Sequence, residues 1–141
     1  PGLDVDILFP AFNQATTLIN KYGDELKGIF GMTSVATPAS AEAVTQLNTF
    51  VTIAVVGLAT PNAMKPYVEK CCVKSVVLWN PVDLGYAAMQ VLRSVADGTL
   101  QPDATTVKAG KLGDLQVING SEILLGAPFV FNKDNIGQFD F

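Results

Sequence analysis

The stretch that decides the fold runs from Val55 to Gly85 and reads VVGLATPNAMKPYVEKCCVKSVVLWNPVDLG. It carries the end of one apolar strand, Thr52–Leu58, and the whole of a second, Val73–Trp79, each stopped at a small polar turn that opens a helix. Both turns contain an X-Pro step, Thr60-Pro61 and Asn80-Pro81. Proline suits a first helical position because its φ is preset and its missing N–H would have no partner there. A buried strand feeding such a helix is the repeating unit of parallel α/β sheets. Ligands of those sheets lie beyond the carboxyl ends of the strands. Ala59, Thr60, Pro61, Asn62, Trp79 and Asn80 therefore fall along one candidate binding edge.

Working outward, the same alternation continues on both sides. Asp4–Phe9 (DVDILF) alternates and is followed by Pro10, which predicts a strand. Asn13 is the expected N-cap of a helix reaching Glu25, with Ala15, Leu18, Ile19 and Tyr22 on its apolar face. Gly28–Met32 reads as a strand, Thr33-Ser34 as a polar turn and Pro38–Leu47 as a helix. Pro61–Lys70 and Pro81–Ala96 are the next two helices, and Gly98 is placed as the C′ residue of the last. The pattern βαβαβαβα predicts an α/β fold: a parallel sheet with right-handed crossovers and helices on its faces. Beyond Asp97 the character changes to short β runs, Thr106–Ala109, Asp114–Ile118 and Glu122–Leu125. Asn119-Gly120 between the last two signals a type I′ hairpin. Gly126-Ala127-Pro128 interrupts, Phe129–Phe131 is one more strand, and Asp134–Phe141 is a terminal turn rich in Phe.

Composition narrows the function classes. The chain has 141 residues, 49% of them apolar and 16% charged, which is the make-up of a globular domain able to bury a core. Its formal charge is −4, and the nine Lys and Arg are scattered. A nucleic-acid binder needs a basic stripe to neutralise phosphates, and none is present. No apolar run approaches the ~20 residues of a membrane span. No charged and apolar leader opens the sequence, so a secretory signal is expected to be absent or removed. Cys71 and Cys72 are adjacent, a spacing that hardly allows a disulfide between them, and they read as small apolar packing at a helix end or a strand start. With no His, a zinc site lacks its usual ligands.

An enzyme finds little support. There is no nucleophile elbow, no phosphate-binding glycine pattern and no paired acids positioned for proton transfer. Gly110-Lys111-Leu112-Gly113 is too short for a phosphate loop and precedes a strand. Nothing positions Asp103 and Asp114 together.

With those residues in hand, the chain resembles the carboxyl-terminal half of type I periplasmic sugar-binding proteins of ABC importers. Within them it is most similar to the rhamnose-binding and autoinducer-2-binding receptors. TPNAMKPYVEK (Thr60–Lys70), VVLWNPVDLGYAA (Val76–Ala88) and PFVFNKDNIGQFDF (Pro128–Phe141) carry the resemblance, with weaker support from DELKGIFGMTSVATPASAEAV (Asp24–Val44). The resemblance implies a two-lobed receptor with most of the amino-terminal lobe missing here. On that basis residues 1–80 form the main α/β lobe, 81–125 cross to the other lobe, and 126–141 return. The helix from Asn13 to Glu25 looks about two turns short of the family's, each turn being 3.6 residues.

The resemblance also implies the ligand and its contacts. A neutral monosaccharide would be held between lobes without chemistry, using hydroxyls, amides, backbone N–H groups and an apolar face. Closure follows because a ligand that touches both lobes favours the closed state. Thr33 and Ser34 stand where relatives place ligand-contacting residues, often an acid or amide pair. Hydroxyls there favour rhamnose or another deoxy sugar over autoinducer-2. The same two residues also suit the cap of the following helix. Pro61, Asn62 and Ala63 open a helix whose first N–H groups can meet ligand oxygens, while Thr60 and Pro61 also suit N-cap and N1. Asn80 is either the N-cap of a helix with acidic Asp83 in its first turn or the hinge-edge amide that holds a sugar hydroxyl. Trp79 either stacks on a sugar or packs in the core. The implied partners are the monosaccharide and an ABC permease, in the periplasm or lipid-anchored outside a Gram-positive cell. No nucleic acid, cofactor or metal is implied. The alternatives are the effector-sensing domain of a LacI-type regulator and a sugar-sensing partner of a receptor kinase. Apolar surface left bare by the missing lobe makes a homodimer of the chain possible.

Overall fold

A computed structural model describes residues 3–70 and 73–141, with only the backbone course for residues 3–7. Cys71 and Cys72 lie outside the described residues. The chain divides into two compact units: Pro1–Leu78 with Val130–Phe141, and Trp79–Phe129.

The first unit opens with α1 (Leu3–Tyr22), followed by a short 3-10 turn at Gly23–Glu25. Then come β1 (Gly28–Gly31), α2 (Ala36–Gln46), β2 (Ala54–Gly57), α3 (Pro61–Lys70) and β3 (Ser75–Leu78). The chain returns in β7 (Phe129–Asn132) and ends in a 3-10 turn at Ile136–Gln138. β1 and β2 pair in parallel with Gly31 opposite Gly57, and a parallel bridge joins Leu58 to Val77. β7 pairs with β3.

The expected α/β class holds, with one correction at its start. Asp4–Phe9 is not a strand but the opening of α1, so Pro10 and Asn13 lie inside a helix rather than at a stop and a cap. The six-residue window hid a longer stripe. Leu8, Phe12, Ala15 and Ile19 recur at helical spacing, and Ala15 and Ile19 are buried in the core against α2 residues such as Val44. Pro10 removes one i→i−4 bond, a local cost that the burial of this stripe outweighs. At 20 residues, α1 begins ten residues before the expected cap at Asn13.

The core of this unit gathers Ile53, Val55, Met64, Val76, Phe131 and Ile136, with Phe131 and Ile136 fully shielded. α2 covers the sheet face that carries Gly31, Val55 and Gly57. The opposite face of β1 and β2 is open, with Phe30 60% and Val56 38% exposed. Thr37 of α2 packs against Gly31 and Gly57 on the covered side, as expected for a parallel sheet flanked by helices.

The second unit starts with α4 (Pro81–Ala96) and continues through β4 (Thr106–Lys108), β5 (Asp114–Ile118) and β6 (Glu122–Ile123) in an antiparallel sheet. Ala87, Val107, Ala109 and Leu115 form its small core. α4 ends as the sequence predicts. Gly98 has φ +66°, its N–H meets the Val95 carbonyl, and the Thr99 N–H meets the Ser94 carbonyl. That pair of bonds is a Schellman motif. Asn119 and Gly120 both have positive φ, as the type I′ turn requires, and the Ser121 N–H closes the turn onto Ile118. α4 leaves Val82, Met89, Leu92 and Val95 more than half exposed.

Candidate functional site

The parallel register sets the carboxyl ends of β1 and β2 side by side, and the Leu58–Val77 bridge brings the end of β3 to the same edge. The turns after β1 and β2 are built from the sequence in different ways. After β1, Met32, Thr33 and Ser34 are exposed. The Thr33 hydroxyl accepts the N–H of Ala36, the first residue of α2, at 3.0 Å, while the N-cap position itself is Val35 and makes no side-chain cap bond; α2 begins two residues before the expected Pro38. Ser34 lies exposed in the same turn.

Beneath that turn sits Thr37, fully buried, which the sequence reading passed over. Its hydroxyl donates to the Leu58 carbonyl at 2.6 Å, with the Gly31 and Thr33 carbonyls at 3.1 and 3.2 Å. It ties the first turn of α2 to the ends of both strands. A signal was present: Gly31 and Gly57 close their strands, and a Cβ on either would collide with the Thr37 hydroxyl at 2.2 and 2.7 Å. Glycine at a strand end often marks such a close approach.

After β2, Thr60 is half-buried and its hydroxyl faces the Ala63 N–H at 3.4 Å. Pro61 is buried, so its ring offers no surface to a ligand. Asn62 is exposed, and its side-chain amide and its N–H have partners within the chain. Its side chain donates to Asp140 at 3.0 Å and accepts from Lys65 at 3.1 Å, and its N–H meets the Phe141 carbonyl at 3.2 Å. Ala63 is half-buried beside it. Thr33, Ser34, Thr60, Pro61, Asn62 and Ala63 are thus brought to one edge of the first unit, with Thr33, Ser34 and Asn62 on its surface.

Trp79 and Asn80 open the second unit. Trp79 is 42% exposed rather than buried. Asn80 is the N-cap of α4, its side-chain oxygen accepting the Val82 and Asp83 N–H groups at 2.9 and 3.3 Å. Asp83, in that first turn, pairs with Lys111 at 3.2 Å.

A second feature of the first unit went unread in the sequence. An apolar groove of about 340 Å³ is lined by Phe9, Phe12, Pro38, Glu42 and Tyr67 among others. Glu42 accepts from Gln46 and Tyr67, each at 2.7 Å. The Gln46 bond first, then the Tyr67 bond, hold its carboxyl below the usual range, against a smaller opposing effect of burial. Those residues lie far apart in sequence, and only the packing of α1, α2 and α3 assembles them. The groove is lined by helices, whereas the candidate edge is made of strand-end turns.

Among the described residues no group of His, Cys, Asp and Glu could hold a metal, and no helix is long and apolar enough to cross a membrane.

The periplasmic binding protein domain family matches residues 9–100, well over half of the chain. A sugar ABC transporter structure from Actinomyces odontolyticus is 28% identical with a TM-score of 0.80, over 95% of this chain and 43% of that one. An ABC transporter solute-binding protein from Clostridium phytofermentas with bound L-rhamnose is 26% identical with a TM-score of 0.76, over 93% and 44%. LsrB from Clostridium saccharobutylicum in complex with AI-2 shares the fold at 21% identity and a TM-score of 0.79, over 93% and 44%. The chain therefore spans less than half the length of these structures. The resemblance to type I sugar-binding proteins of ABC transporters, read from the Thr60–Lys70 and Pro128–Phe141 motifs, is borne out by these matches. The chain belongs to the periplasmic binding protein domain family.

Proposed function

We propose that the chain supplies one wall of a monosaccharide site in the solute-binding component of a bacterial ABC sugar importer, working in the periplasm or outside a Gram-positive cell. The observation that carries the reading is the pair of turns on one parallel strand edge, with Thr33 and Ser34 exposed above the Thr37 anchor. Exposed hydroxyls on a rigid edge suit sugar hydroxyls, because each can both donate and accept. Thr60 and Ala63 extend that wall. Trp79 and Asn80, at the start of the second unit, are proposed contacts on the strength of an exposed indole and a preformed amide. Rhamnose or a related deoxy sugar is the ligand we favour, since the hydroxyl pair at Thr33 and Ser34 carries no charge, and one compared structure binds L-rhamnose. Transport, with a permease as partner, is favoured over a regulator because the compared structures are transport proteins. Binding itself involves no chemistry.

A single wall binds feebly, because the cost of fixing the sugar is offset by only part of its contacts. Titration with L-rhamnose, followed by amide resonances, should give a Kd in the millimolar range, about −4 kcal/mol or weaker. The shifts should cluster at Thr33–Thr37 and Thr60–Met64. Shifts elsewhere only, or none at saturating sugar, would refute the reading. Self-association is a further part of the proposal, supported by the exposed Met89 and Leu92 of α4 and Phe30 of β1. Light scattering that shows a strict monomer at high concentration would remove it.

A further inference from the structure

We propose that the C-terminal tail is a positioning element for the ligand-facing turn, with Asp140 holding Asn62 and through it the backbone from Thr60 to Ala63. The proposal rests on the reading of that turn given above. Asn62 stands at the second position of α3, where a helix has N–H groups without intrahelical partners. Its side-chain nitrogen and oxygen and its backbone N–H each have a partner. The side-chain amide donates to Asp140 Oδ1 at 3.0 Å, its oxygen accepts from Lys65 Nζ at 3.1 Å, and its N–H donates to the Phe141 carbonyl at 3.2 Å. Lys65 Nζ also donates to the Phe139 carbonyl at 2.5 Å, which closes a polar ring between α3 and the tail.

The tail can act as a fixed reference because it is anchored by aromatic packing. Phe139 and Phe141 meet Phe131 edge-on, at ring distances of 4.8 and 6.1 Å, and each other at 6.0 Å. Phe131 belongs to β7 and is fully shielded, so the tail is tied to the sheet itself. The opening of α3 is thereby fastened to the tail. Of its first three residues, Pro61 has no N–H, Asn62 gives its N–H to the tail, and Ala63 faces the Thr60 hydroxyl. Asn62 is then a positioning residue. Ligand contact at this turn falls to Thr60 and Ala63, whose backbone the clamp holds. A carboxylate at Asp140 adds to the clamp, since negative charge is favoured near a helix N-terminus.

Hydrogen exchange of the whole chain, measured residue by residue, tests this with Asp140→Ala and Asp140→Asn. Asp140→Ala should raise exchange at Asn62 and Ala63 by about tenfold, the effect of losing one charge-assisted hydrogen bond. Val55 and Val56 in β2 should not change. Asp140→Asn keeps an oxygen at the accepting position and should restore most of the protection. Unprotected Asn62 in the parent chain, equal changes in β2, or an Asn variant that behaves like the Ala variant would each overturn the proposal. Adding L-rhamnose separates the two readings. The sugar-induced shift at Ala63 should fall severalfold in Asp140→Ala while the shifts at Thr33 and Ser34 persist. Identical responses in both proteins would overturn the positioning role alone. No response in the parent would overturn the ligand turn, and the positioning role with it.

Discussion

The Thr37 hydroxyl donates to the Leu58 carbonyl at 2.6 Å, and this bond fastens the start of α2 to the end of β2 across 21 residues of sequence. A hydroxyl has one proton. The Gly31 and Thr33 carbonyls, at 3.1 and 3.2 Å, therefore share it only weakly. Thr37→Val keeps the shape and removes the donor. It should destabilise the chain by about 1–3 kcal/mol in chemical denaturation, the cost of leaving a buried acceptor unmade. Thr37→Ser keeps the donor and loses one methyl group, so it should cost about 1 kcal/mol or less. A Ser variant weaker than the Val variant would show that packing, not the hydrogen bond, matters at this position.

The glycines beside Thr37 should be intolerant in a way that other glycines are not. Gly57 has φ +150°, and a Cβ there would lie 2.1 Å from the Gly31 carbonyl oxygen. Gly57→Ala should cost about 3 kcal/mol or more, because backbone must shift to admit it. Gly85, inside α4, has nothing within 4 Å of its added Cβ. Gly85→Ala should instead stabilise by roughly 0.5–1 kcal/mol through helix propensity. Denaturant midpoints for the two variants should move in opposite directions.

Acid should weaken the contact between α2 and α3 at Glu42. Its carboxyl is held below the ordinary value of 4.5 by the Gln46 and Tyr67 hydrogen bonds. A carboxyl lowered on folding contributes stability above its unfolded pKa and loses it as pH falls through the folded one. The melting-temperature gap between the parent and Tyr67→Phe should be constant above pH 5.5 and shrink below about 4.5. A gap that widens in acid would contradict this assignment.

Asn80 separates capping from ligand contact. Asn80→Ala should cost about 1 kcal/mol of stability by removing the N-cap of α4. Asn80→Asp retains an accepting oxygen and should melt like the parent. Equal losses in both variants would mean that the cap contributes little and that another role keeps the amide.

Much of this was legible in the sequence where local signals agree. Pro61 and Pro81 mark the starts of α3 and α4, and Gly98 and Asn119-Gly120 mark a helix end and a hairpin, because φ preference acts on a few adjacent residues. The opening helix was not legible, since DVDILF alternates over six residues while the helical stripe from Leu8 to Ile19 needs twelve to show. The site residues divide the same way. That the Thr33 hydroxyl would meet an N–H of the following helix could be read from its neighbours alone. That Asn62 faces a carboxylate 78 positions away could not.

The sequence by itself determined the family, the order of most strands and helices and the edge on which the candidate turns gather, because strand-to-helix punctuation and the Thr60–Lys70 and Pro128–Phe141 motifs are local properties of the chain. Tertiary structure alone decided that Thr37 binds two strand ends and that the tail meets Asn62. Each depends on atoms far apart in sequence meeting within hydrogen-bond or van der Waals distance, and no short-range preference encodes that.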